Sequence, residues 1–93
     1  MALLALMDGD LRLSVRAGAL TVERGGHAIQ TVPTHAISEV HLYGAAEMST
    51  AARNLLLGER IDTVFLTADG RYRGRLVAGA GRSGALRLAQ YAL

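Results

Sequence analysis

Arg71, Arg73 and Arg75 recur at every second position of a short stretch that also holds Tyr72, and Arg82 and Arg87 follow before the chain reaches Leu93. Alternate residues of an extended strand face the same side at a spacing of about 6.6 Å, so this pattern predicts a row of three guanidinium groups. Each guanidinium can hold two oxygens of one phosphate, and a row of them can follow a nucleic-acid backbone without reading its bases. Arg71, Arg73, Arg75 and Arg82 are therefore the candidates for DNA contact. Tyr72 has the opposite parity and is expected to pack rather than to stack on a base. The plain alternative is a solvated charged face that serves solubility, or pairing of these arginines with acids across a dimer.

The distribution of charge favours an anionic partner near the end of the chain. Residues 1–69 carry five arginines against eight acids, a net −3, whereas residues 70–93 carry five arginines and no acid, a net +5, which together give the +2 of the whole. Polyanion binding is expected to involve that last quarter. All ten basic residues are arginine, a bias that base composition explains as readily as a need for the guanidinium fork.

Other chemistry is poorly provided for. His27, His35 and His41 have no helical ligand spacing between them. Glu39 and His41 share one side of a strand and, with a histidine or acid from a neighbouring subunit, would make at best a weak interface site. Asp8 and Asp10 bracket Gly9 in a turn, where carboxylates commonly accept backbone hydrogen bonds. The glycines from Gly70 to Gly84 match neither the phosphate-loop pattern nor the dinucleotide fingerprint, and the chain has no lysine. No catalytic residue, no metal ligand set and no cofactor is assigned from the residues.

Elements that would position the arginines follow from periodicity. The opening MALLALM is apolar but ends at Asp8, too soon to span a bilayer and without a basic leader or cleavage motif; it reads as a strand. Asp8-Gly9-Asp10 is expected to turn it into an antiparallel partner over 11–16. A second hairpin is expected over 20–24 and 27–32, reversing at Gly25-Gly26 and closed by Pro33, which has no N–H for a ladder. A strand over 37–42 has Val40 and Leu42 on one side, Glu39 and His41 on the other. Ser49 is placed to cap a helix over 50–57 that ends at Gly58, with Ala52, Leu55 and Leu56 on one face. The apolar run 61–66 reads as a strand covered on both sides, making strand, helix and strand one right-handed crossover. Residues 85–93 read as the first turns of a helix still running where the chain stops.

The expected fold class is α+β, a mainly β domain of antiparallel hairpins with one short helix. Apolar residues make up 51% and charged residues 19% of the 93, which excludes intrinsic disorder and predicts association through excess apolar surface. With no cysteine there is no disulfide framework, and a reducing compartment is permitted.

Four phrases in order carry a resemblance: TVPTHAISEVHLYG at 31–44, MSTAARNLLLGERIDTVFL at 48–66, DGRYRGRLV at 69–77 and LRLAQY at 86–91. Together they resemble the amino-terminal domain of the Cas1 family, the CRISPR-associated endonucleases and integrases. The resemblance implies a β domain over 1–84 that pairs with its twin in a homodimer, and a linker helix beginning at 85–93 that leads into a helical catalytic domain. It also implies that the complete protein is cytoplasmic, works with Cas2 on double-stranded DNA in spacer acquisition and uses Mg²⁺ or Mn²⁺. The metal-binding glutamate, histidine and aspartate of the family have no counterpart in this sequence, so the piece is expected to position DNA without cutting it. A standalone protein-binding module is the alternative.

Overall fold

The computed structural model describes residues 2–78. Two four-stranded sheets pack over one core. Sheet A has the order β1-β5-β7-β8, built from β1 (Ala2–Leu6), β5 (Ile37–Tyr43), β7 (Asp62–Leu66) and β8 (Tyr72–Leu76). Sheet B has the order β4-β3-β2-β6, built from β2 (Leu11–Arg16), β3 (Ala19–Arg24), β4 (His27–Val32) and the two-residue β6 (Glu47–Met48). Among the described residues the one α-helix, α1 (Thr50–Gly58), joins β6 to β7. The class is α+β, as the sequence predicts.

Sheet B is the hairpin ribbon that alternation predicts. β2 pairs antiparallel with β3, and β3 with β4. Both reversals use two consecutive residues with positive φ, Ala17-Gly18 and Gly25-Gly26, the signature of a tight I′ turn whose twist matches that of the strands. Ala17 adopts this conformation at φ 52° despite its Cβ, so the first turn is not an all-glycine device.

The opening strand departs from expectation. β1 does not form a hairpin with β2; it lies in the other sheet, parallel to β5, with Leu4 opposite Val40 and Leu6 opposite Leu42. The turn after it carries the chain from one sheet to the other. Leu6 and Leu13 are both fully buried in the shared core, and burying each from opposite layers satisfies the apolar run better than a two-stranded ribbon open to water would. Asp8 and Asp10 also have a different role: both carboxylates hold Arg24, at 2.7 and 2.9 Å.

The crossover β5-α1-β7 sets the middle of sheet A, and its two strands pair in parallel. At the start of α1 the Ser49 hydroxyl accepts the Ala52 N–H at 3.1 Å, which satisfies one otherwise unpaired first-turn donor. At its end the left-handed residue is Arg60, at φ 60°, rather than Gly58. Arg60 N–H donates to the Leu57 carbonyl and Ile61 N–H to that of Leu56, the paired bonds of a Schellman stop. Ile61 and Leu56 both belong to the core, so the cap and the packing enforce one another. β7 is covered on both faces, with Thr63 and Val64 buried side by side.

Candidate nucleic-acid interface

The arginine-bearing strand β8 is the outer edge of sheet A, antiparallel to β7. The turn leading into it is tightly pinned. Thr67 N–H donates to the Arg71 carbonyl at 2.8 Å, Gly70 N–H to the Thr67 carbonyl at 2.9 Å, and Arg71 N–H to Thr67 Oγ1 at 2.9 Å. The Thr67 hydroxyl in turn donates to the Asp69 carboxylate. Gly70 takes φ 93°, which a side chain would strain.

The even row expected of three guanidinium groups does not form. Arg71 lies in the turn before β8. Thr63 pairs with Leu76, Val64 with Arg75 and Phe65 with Gly74, but Leu66 then pairs with Tyr72. Arg73 is thus the extra residue of a β-bulge, without a ladder partner, and a bulge resets the alternation on which equal spacing depends. Tyr72 is also not packed: it is 65% exposed, because the slip takes it off the face shared by Gly74 and Leu76.

The three arginines meet different surroundings. Arg75 Nη1 donates to Glu39 Oε2 at 2.9 Å and to Asp62 Oδ2 at 3.0 Å. Asp62 spends its other oxygen on the Ala78 N–H, also at 2.9 Å. Glu39 spends its own on His41 Nε2 at 2.7 Å. The strand order makes this possible, since Glu39 stands opposite Asp62, and His41 opposite Val64, which in turn faces Arg75. His41 and Arg75 together hold the Glu39 carboxyl below its usual range, the histidine contact counting for more. Asp62 first and Glu39 second raise Arg75 further above the ordinary arginine range. Arg75 is therefore a neutralised strut. Arg71, by contrast, has an 82% exposed side chain and a single long contact to Asp69 at 3.5 Å. Arg73 is exposed and has no ion pair among the described residues. Arg82 lies outside the described residues, as does the helix predicted over 85–93.

The pairing of Glu39 with His41 was visible from parity, but Asp62 and Arg75 were missed as its partners because strand order is not written in any local pattern. Their grouping does not suit a metal ion: a guanidinium already lies between the two carboxylates, and among the described residues no cluster of three or more histidine or acidic side chains is arranged to hold one. Nor is any helix there long and apolar enough to cross a membrane.

Comparison with known proteins bears on the family and the fold. Residues 4–93 match the family described as CRISPR associated protein Cas1. The chain is similar to CRISPR-associated endonuclease Cas1 1 of Archaeoglobus fulgidus, with 36% identity over 64 residues, covering 69% of this chain and 19% of that protein. It thus spans about a fifth of the length of this curated relative. Among solved structures, a partial Cas6-RT-Cas1–Cas2 complex superposes with TM-score 0.76 at 20% identity, over 85% of this chain and 24% of the other. A Cas1 protein from Thermotoga maritima gives 0.71 at 16%, over 86% and 25%. A casposase bound to integration product gives 0.67 at 17%, over 98% and 29%. At those identities the structural likeness is one of fold, while the sequence match supplies the kinship. The chain belongs to the Cas1 family and corresponds to its amino-terminal domain, without the catalytic residues of the family.

Proposed function

We propose that this domain pairs with a second copy and positions double-stranded DNA for a Cas1 integrase engaged in spacer acquisition. The observation that carries the DNA reading is the contrast along one edge: Arg75 is neutralised by two acids, while Arg71 and Arg73 project at the open corner of sheet A. Two exposed guanidinium groups, one on the pinned turn and one at the bulge beside it, contact phosphates with little ordering cost, and Arg82 extends the same basic segment. Assembly is supported at the opposite side of the fold. There Leu3 and Ile29, 52% and 54% exposed, lie on the edge strands β1 and β4, next to a hollow of about 150 Å³ lined by Leu3, Leu4, Gln30 and Val32.

In this reading residues 1–84 form the amino-terminal domain and 85–93 lead toward a helical catalytic domain that supplies the Mg²⁺ or Mn²⁺ ligands. The whole protein works in the cytoplasm with Cas2. Titration of the chain with a DNA duplex at several salt concentrations tests the DNA role. Replacing both Arg71 and Arg73 with alanine should flatten the log-log salt slope by about 2, since each phosphate contact contributes about 0.9; an unchanged slope refutes it. Light scattering tests pairing, with an expected mass of twice the 9.8 kDa chain. A dimer that ignores DNA at low salt would favour the rival reading, a module that binds only protein, which the exposed Leu3 and Ile29 suit equally well.

A further inference from the structure

The two sheets end unequally on the side away from β1 and β4. There the last strand of sheet A, β8, has five residues, about 16 Å, whereas the last strand of sheet B, β6, has two. Sheet B therefore falls short of its partner. A groove of about 610 Å³ lies in the gap, against about 150 Å³ at the β1 and β4 end. Phe65, Leu76, Met48 and Ala46 line it, and Glu47 and Arg53 stand on its wall. Phe65, Met48 and Ala46 each pack on the core from one side but are only half-buried, so an apolar floor is left uncovered. Glu47 is 71% exposed, and its ion pair with Arg12 is 3.9 Å long.

The described chain ends beside this groove. Leu76 belongs to its lining, and two residues later the Ala78 N–H donates to Asp62 Oδ1 at 2.9 Å. Asp62 is steadied for that role by Arg75, which binds its other oxygen. Residues 79–84, three of them glycine, then lead to ALRLAQYAL at 85–93. Six residues reach at most about 20 Å, enough to cover the length of β8. In the helix predicted over 85–93, Leu86, Ala89 and Leu93 share one face, and nine residues measure about 13 Å, which matches the flank of that strand. Residues 79–93 carry Arg82 and Arg87 and no acid, a charge that complements Glu47. A short tether also holds its end at an effective concentration in the millimolar range, about a thousandfold above that of a second copy at micromolar concentration. The chain's own continuation is thus the favoured occupant.

We propose that residues 85–93 dock in the groove between β8 and β6 of the same chain, with Leu86, Ala89 and Leu93 on the floor formed by Phe65, Met48 and Ala46, and with Arg87 toward Glu47. Docking there fixes the place from which the polypeptide continues. The inference needs neither the DNA reading nor the pairing of two copies, and it stands or falls apart from them. Because the chain has no cysteine, disulfide trapping tests it without background. In the 93-residue chain, Ala46→Cys is combined in turn with Leu86→Cys, Ala89→Cys and Leu93→Cys, and the oxidised products are resolved by non-reducing electrophoresis and mass spectrometry. A bridge requires Cα atoms within about 7 Å. At least one of these pairs should close within the chain about tenfold faster than Ile29→Cys, on the far edge strand β4, combined with the same three positions. Leu86→Asp added to the Ala46 and Ala89 pair should return its rate to that of the Ile29 set. Glu47→Gln should slow closure about 1.5- to 5-fold at low salt, and an unchanged rate would strike the Arg87 contact from the proposal. Circular dichroism identical to that of the parent ensures that a slow pair is not an unfolded one, and Met48→Cys replaces Ala46→Cys if that variant fails this check. Equal rates for the Ala46 and Ile29 sets overturn the inference. Bridges that form between chains instead of within one assign the groove to a second copy and overturn it as well.

Discussion

The outer face of sheet A and the corner where β8 begins lie on one strand and carry the same cation, yet they are opposite in character. On the face, Arg75 is held by Glu39 and Asp62, and His41 completes the group. At the corner, Arg71 has a single 3.5 Å contact to Asp69 and Arg73 has no ion pair among the described residues. A sequence count scores all three arginines alike. What separates them is strand order, which brings two acids from β5 and β7 beside Arg75 and none beside Arg73. Local neutralisation, more than net charge, marks which part of a basic segment is available to a partner.

The most damaging way to break this contrast is to remove the core on which both regions depend. Leu42 of β5 is buried in the core on the inner side of sheet A, and Leu42→Ala should cost about 2–5 kcal/mol, read by chemical denaturation. Both DNA binding and the stability conferred by the Arg75 group should fade together. A loss below about 1 kcal/mol would mean that sheet A does not rest on this cluster.

A sharper test exchanges the two kinds of arginine. Arg73→Leu should reduce the salt slope of duplex binding by about 1 while the thermal midpoint holds. Arg75→Leu should do the reverse, lowering the midpoint because Glu39 and Asp62 are left facing each other, with the slope kept. Identical behaviour of the two variants would dissolve the distinction.

Ser49→Ala probes the connection between the strands that supply the acids. It should cost about 1 kcal/mol through loss of the α1 cap, measured as a shift of the denaturation midpoint without a change of slope. The duplex salt slope at the corner should be unaltered.

The smallest effect is that of pH. Glu39 has a lowered pKa in the folded state, so its contribution is present above the ordinary carboxylate range and is lost as pH falls through the lowered value. Thermal midpoints should therefore drop on acidification below about pH 4, and Glu39→Gln should reduce that dependence. A pH profile identical in parent and variant would show that the His41–Glu39–Arg75 group does not contribute to it.

Legibility in the sequence followed the range of the forces. Alternation identified β2, β3 and β4 because each hairpin is closed by adjacent residues, and Ser49 was readable because a cap acts within one turn. The β1 pairing was not: an apolar run at both parities says only that it is buried, not which sheet receives it. The bulge at Arg73 was equally hidden, since nothing local distinguishes RYRGR with regular pairing from the same residues with one slipped. That slip turned a predicted row of arginines into a corner and a predicted packed tyrosine into an exposed one.

β1 also bears on how the chain acquires its shape. Its partner is β5, reached only after the whole ribbon of sheet B has been made. On a ribosome Ala2–Leu6 must wait, apolar and unpaired, until Ile37–Tyr43 appears, because a parallel ladder with a distant segment forms late and closes a long loop. During that interval Leu3, Leu4 and Leu6 are open to capture by chaperones or by another nascent copy.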